Sequence, residues 1–100
     1  LALLGDKLPA EDAASWGLIW KAVDDDKLIA EAGALARSLA AGPTLAYALI
    51  KRALDASETS TLDAQLDLER DLQRKAGLSA DYREGVAAFM QKRKAQFKGK

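Results

Sequence analysis

The chain has 100 residues, of which 49% are hydrophobic and 30% charged, and its formal net charge is zero. That is the size of one small domain or part of a larger one, with the balance of an ordinary globular chain. With no cysteine and no histidine, disulfides, thiolate chemistry and the commonest general base and metal ligand are excluded.

No apolar run approaches the roughly 20 residues of a membrane span, and there is no basic-then-apolar signal segment. A soluble cytoplasmic protein with no membrane partner is expected. The chain opens LALLG, without a capping residue. Such a stretch matches the last turn of a helix stopped by Gly5, so the chain is expected to be the C-terminal piece of a longer protein.

Pro9 suits a first helical turn, and Glu11 and Asp12 follow at the end the helix dipole makes acid-friendly. A short helix through Ala13 and Ala14 is expected to stop near Gly17. Residues 18–23, LIWKAV, are apolar and partly β-branched, which fits a short strand or an extended link. The triplet Asp24-Asp25-Asp26 invites a metal, but a calcium loop spreads its ligands over a dozen positions around a turn glycine. Acids directly before the stripe Leu28, Ala32, Leu35, Ala36 and Leu39 cap a helix start instead, and no metal site is expected.

Gly42 ends that helix and Pro43 opens the next, where Leu45, Ala46, Ala48, Leu49, Ile50, Ala53 and Leu54 cover most of the circumference. A helix apolar over so much of its surface is buried on more than one side. After a polar break, Ser60-Thr61-Leu62-Asp63 resembles a capping box with Asp in place of Glu. Leu62, Leu66, Leu68, Leu72 and Ala76 form the face of a longer helix that Gly77 stops. Ser79 caps the last helix, in which Tyr82, Val86, Phe89 and Met90 share a face. The expected fold is all-α, about five helices. Its apolar faces exceed the needs of a 100-residue bundle, so some are expected to meet another domain or subunit.

The end of the chain is chemically distinct. No acid lies beyond Glu84, and five of the fifteen cations fall in the last ten residues, QKRKAQFKGK. A helix carried through this block sets Lys92 three residues, and Arg93 four, from Phe89 on one surface. A ring beside a cation suits a nucleotide-like group, with the base on the ring and phosphate on the cation. Three readings stay open: a solvated basic helix end, a nucleic-acid tail, or a site for a small phosphorylated ligand. Against the nucleic-acid tail, the other ninety residues carry ten cations against fifteen acids and would repel a polyanion.

The segment EGVAAFMQKRKAQFKGK resembles the C-terminal signature of the crotonase superfamily, the enoyl-CoA hydratases and isomerases. LALLGDKLPAEDAASWGLIWKAVDDDKL resembles the stretch after that family's catalytic core, and LAAGPTLAYALIKRAL its next helix pair. The resemblance runs through all 100 residues. WGLIW, GPTLA and TLDAQLDLERDLQRKAG are most similar to the phenylacetate-degradation branch, whose members isomerise a ring epoxide of phenylacetyl-CoA.

The resemblance implies a C-terminal helical domain that packs subunits into trimers or hexamers and covers coenzyme A, which enters as part of the thioester substrate and not as a separate cofactor. It places the oxyanion hole and the catalytic carboxylates upstream. No residue of this chain is then catalytic, and the chain by itself is expected to be inactive. It also assigns Phe89 and Lys92 to the adenine and 3′-phosphate. A second aromatic that some hydratases contribute falls at Gln73, which cannot stack in the same way. An enoyl-CoA hydratase or Δ3,Δ2-isomerase is the nearest alternative implied. A stand-alone helical interaction or nucleic-acid-binding module is the alternative of another class.

Overall fold

The computed structural model describes residues 2–100, and Leu1 lies outside them. Among the described residues there are five α-helices and no strand. None of the helices is long and apolar enough to cross a membrane. The chain divides into two compact units at Gly33.

In the first unit, residues 2–4 form a turn and Gly5 takes φ +72°, the left-handed conformation that a helix stop requires. Helix α1 spans Ala10–Ser15, entered through Pro9 with Glu11 and Asp12 in its first turn. It ends in a Schellman turn. The Leu18 N–H donates to the Ala13 carbonyl at 2.9 Å and the Gly17 N–H to Ala14 at 3.1 Å, with Gly17 at φ +75°. Residues 18–20 are bends and 21–24 irregular chain, so of the two options for this stretch a link, not a strand, is observed. With no neighbouring strand to pair with, six residues of β propensity form no ladder. Lys21 reaches forward to an ion pair with Glu31.

The acid triplet opens α2, Asp25–Ala40. Asp24 precedes the helix, and its carbonyl accepts the Lys27 N–H at 2.9 Å while its carboxylate takes the Lys27 ammonium at 2.5 Å. The triplet is therefore committed to starting a helix. Among the described residues, no three or more acids lie together as a metal cage.

The second unit begins within α2 at Ala34 and contains α3 (Thr44–Ser57), α4 (Leu62–Gly77), α5 (Ala80–Met90) and the tail 91–100. Helices α3 and α4 pack together, and α4 also meets α5. Leu49 of α3 and Leu72 of α4 are each only 7% exposed, and burying a leucine contributes about 1.5–3 kcal/mol. Gln65 ties the two helices further: its Nε2 donates 3.0 Å across to the Ala53 carbonyl and 2.7 Å along its own helix to Glu69.

The cap of α4 is one residue later than the capping-box pattern suggests. Thr61, not Ser60, accepts the Ala64 N–H, at 3.4 Å. The third helical position is thus Ala64, and no acid returns the bond; Asp63 serves only as a first-turn charge. Ser79 caps α5 as expected, accepting the Tyr82 N–H at 3.0 Å.

Among the described residues the buried apolar set is small: Ala13, Leu49, Leu72 and Ala88. Ile50 and Leu54 of α3, Leu62 and Leu66 of α4, and Tyr82, Val86, Phe89 and Met90 of α5 are all exposed. Faces this apolar are left open within a unit that closes around only a few side chains.

Candidate functional site

The chemistry-bearing residues of the tail converge on α5, but not along a continuous helix. Regular structure stops at Met90. The Arg93 N–H donates to the Ala88 carbonyl at 3.0 Å and the Lys92 N–H to Phe89 at 3.1 Å. These are the two bonds of a Schellman turn, and they place Lys92 where glycine usually sits. Lys92 has φ +51°, and no other non-glycine among the described residues has a positive φ. Left-handed backbone costs an L-residue roughly 1–2 kcal/mol, so something must hold it there.

The helical spacing drawn from the sequence, with Phe89, Lys92 and Arg93 along one face, is therefore corrected. Lys92 leaves the helical register one turn after Phe89, and Arg93 points back along α5. Its guanidinium grips the Glu84 carboxylate with both arms, Nη1 to Oε1 at 2.6 Å and Nη2 to Oε2 at 2.9 Å, while its Nε donates to Gln91 at 2.7 Å. The Gln96 N–H adds a third bond to Glu84, at 2.8 Å. The Arg93 guanidinium first, and the Gln96 amide second, lower the Glu84 pKa from 4.5 to about 2. The same pairing raises Arg93. Of the five tail cations, Arg93 is thus committed within the chain. Lys92, exposed, has no ion-pair partner among the described residues.

Beyond Arg93 the tail folds back to the start of α5. Asp81 is 4% exposed; its Oδ1 accepts the Lys98 N–H at 2.7 Å and its Oδ2 the Gly99 N–H at 2.8 Å. Its own N–H donates to the Lys100 carbonyl at 2.9 Å. A buried carboxylate with bonds on both oxygens meets the condition under which burying a charge is tolerated. Phe97 packs over Gly85, and Gly99 takes φ +73° against Thr44 at the head of α3, where a Cβ would come within 2.5 Å of the threonine oxygen. Tail, α3, α4 and α5 enclose an apolar groove of about 390 Å³. Pro43, Ala46, Tyr82, Val86, Phe89 and Phe97 are among its lining residues.

Phe89 is 82% exposed at the rim of this groove. The structure therefore sets a bare aromatic one turn before a bare cation. Gln73 lines a different groove, between α3 and α4, with Ile50, Leu54 and Leu72. Sequence reasoning missed Asp81 and Glu84. The available signal was their place as the last two acids before a block of cations, together with a glycine, Gly99, next to the chain end.

Comparison with known proteins agrees across the chain. A family model described as enoyl-CoA hydratase/isomerase matches residues 1–100. The 1,2-epoxyphenylacetyl-CoA isomerase of Escherichia coli is 61% identical over all 100 residues, which are 38% of its length. The mitochondrial enoyl-CoA hydratase of Pongo abelii is 34% identical over 98 residues, 34% of its length. Among solved structures, enoyl-CoA hydratase from Mycobacterium tuberculosis superposes with a TM-score of 0.89 at 31% identity, covering 100% of this chain and 40% of that one. The chain thus spans under half the length of the relatives it matches.

Proposed function

Since the chain belongs to the enoyl-CoA hydratase/isomerase family, we propose that it forms the coenzyme A-covering and subunit-packing helical domain of an acyl-CoA isomerase acting on ring-epoxidised phenylacetyl-CoA. The observation that carries this reading is the 61% identity to the epoxyphenylacetyl-CoA isomerase, against 34% to the mitochondrial hydratase. Enoyl-CoA hydration is the second reading, favoured by the number of hydratases among the relatives.

The exposed Phe89 ring and the unpaired Lys92 ammonium support the nucleotide end of this reading. A ring offers a face to adenine, and an ammonium is a point-charge partner for a phosphate. The thioester chemistry requires donors aimed at a developing enolate oxygen and a carboxylate within reach of the α-proton. None of this chain's residues is assigned to either task, so the chain alone is inactive. The exposed Ile50, Leu54, Leu62 and Leu66 support packing against further copies, as a trimer or hexamer.

The test is coenzyme A affinity of the native gene product, by calorimetry. Phe89→Ala is expected to weaken binding by about 1–3 kcal/mol, the value of one stacked base. Lys92→Ala is expected to lose about 1 kcal/mol, the upper value for an exposed ion pair. Unchanged affinity in both variants overturns the assignment. Turnover of the ring epoxide by the native product, with none by residues 1–100 alone, separates isomerase from hydratase and checks the chain's inactivity.

A further inference from the structure

Lys92 is an L-residue held in left-handed backbone at a place where glycine would sit without cost. Conformations of this kind persist where the surroundings over-determine them, and they cluster at ligand clamps. Here the surroundings are the two Schellman bonds and the residue that follows. Arg93 is fixed at its N–H by Ala88 and at its guanidinium by both oxygens of Glu84, nine residues back. Glu84 also holds the Gln96 N–H, so the chain on the far side of Lys92 is anchored to α5 at three points. Without that anchor the turn is free to fray, and Lys92 relaxes toward the right-handed or extended backbone that its side chain prefers.

We propose that Glu84 is a positioning residue for anion binding: through Arg93 it locks Lys92 in the left-handed turn that ends α5 one turn after Phe89. The inference rests on the coenzyme A reading above. Glu84 itself touches no ligand. It sets where the cation stands and spares Lys92 the ordering cost on binding.

The experiment compares coenzyme A with 3′-dephospho-coenzyme A on the native gene product, with the fold of each variant checked by circular dichroism. The wild type is expected to prefer coenzyme A by about fivefold, the value of one exposed ion pair. Lys92→Ala is expected to remove that preference. Glu84→Gln, with Lys92 still present, is expected to reduce it toward onefold and to leave the dephospho affinity unchanged. Arg93→Gln is the second variant, kept in case Glu84→Gln does not fold, with the same expected result. A Glu84→Gln or Arg93→Gln protein that keeps the wild-type preference, or that weakens both ligands equally, overturns the proposal. A wild type without any preference overturns the coenzyme A assignment, and the proposal with it.

Discussion

Replacing Asp81 by alanine removes the acceptor that holds the end of the tail. In the folded chain its two oxygens take the Lys98 and Gly99 amides at 2.7 and 2.8 Å, in a site where the residue is 4% exposed. Hydrogen bonds to a charged group contribute about 1.5–3 kcal/mol each. The lower figure applies, because a released tail can hydrate its amides, and two such bonds give about 3 kcal/mol. At about 1.4 kcal/mol per tenfold, the Lys98 and Gly99 amides of Asp81→Ala should exchange with solvent deuterium on the order of a hundredfold faster than in the wild type. The assay is amide hydrogen exchange followed residue by residue, which resolves local opening from global unfolding. The Ala53–Gln65 region, in the α3–α4 pair, serves as the internal control and should keep its protection. Unchanged exchange at Lys98 and Gly99 would refute the clasp. Equal acceleration in the α3–α4 control would show instead that Asp81 holds up the whole unit.

Glu84 adds a pH dependence of defined sign. Its folded pKa, about 2, lies below the ordinary 4.5, so the stability it contributes is complete above 4.5 and is lost as pH falls through 2. NMR titration of the Gln96 amide should show its hydrogen-bonded shift persisting to about pH 3 and changing only below it, with that low-pH step absent in Glu84→Gln, whose side chain does not titrate. A midpoint near 4.5 in the wild type would contradict the pairing. Gly85→Ala should raise stability by about 0.5–1 kcal/mol, read by thermal melting. The site is interior to α5, and the new Cβ meets Phe97 at an ordinary 3.6 Å. A lowered melting temperature would mean that the tail lies closer to α5 than described.

The balance between what was legible and what was not follows the range of the interactions. Local bonds and periodicity are written in short windows. Pro9, Gly17, the acid triplet, Pro43, Thr61 and Ser79 act through partners within five residues. From them the sequence by itself determined an all-α chain with five helices and nearly their boundaries. The same windows displayed apolar faces too broad for the few side chains that the units bury. Where the reading slipped, two local options were nearly equal, as at the Ser60–Thr61 cap.

The sequence also offered Phe89 and Lys92 as a pair, but for a spacing that the chain does not keep. Tertiary structure decided what became of residues 91–100. A helix running through QKRKAQFKGK would satisfy its own periodicity; the chain instead turns at a left-handed Lys92 and doubles back. That choice is made by two carboxylates reaching partners 9 to 18 residues away. Arg93 was legible as a cation, yet only the folded chain shows its charge committed to Glu84 while that of Lys92 is left free. The physical reason is that a buried or bidentate carboxylate gains its bonds only once the chain has brought the donors to it. No spacing rule within a single helix encodes that event.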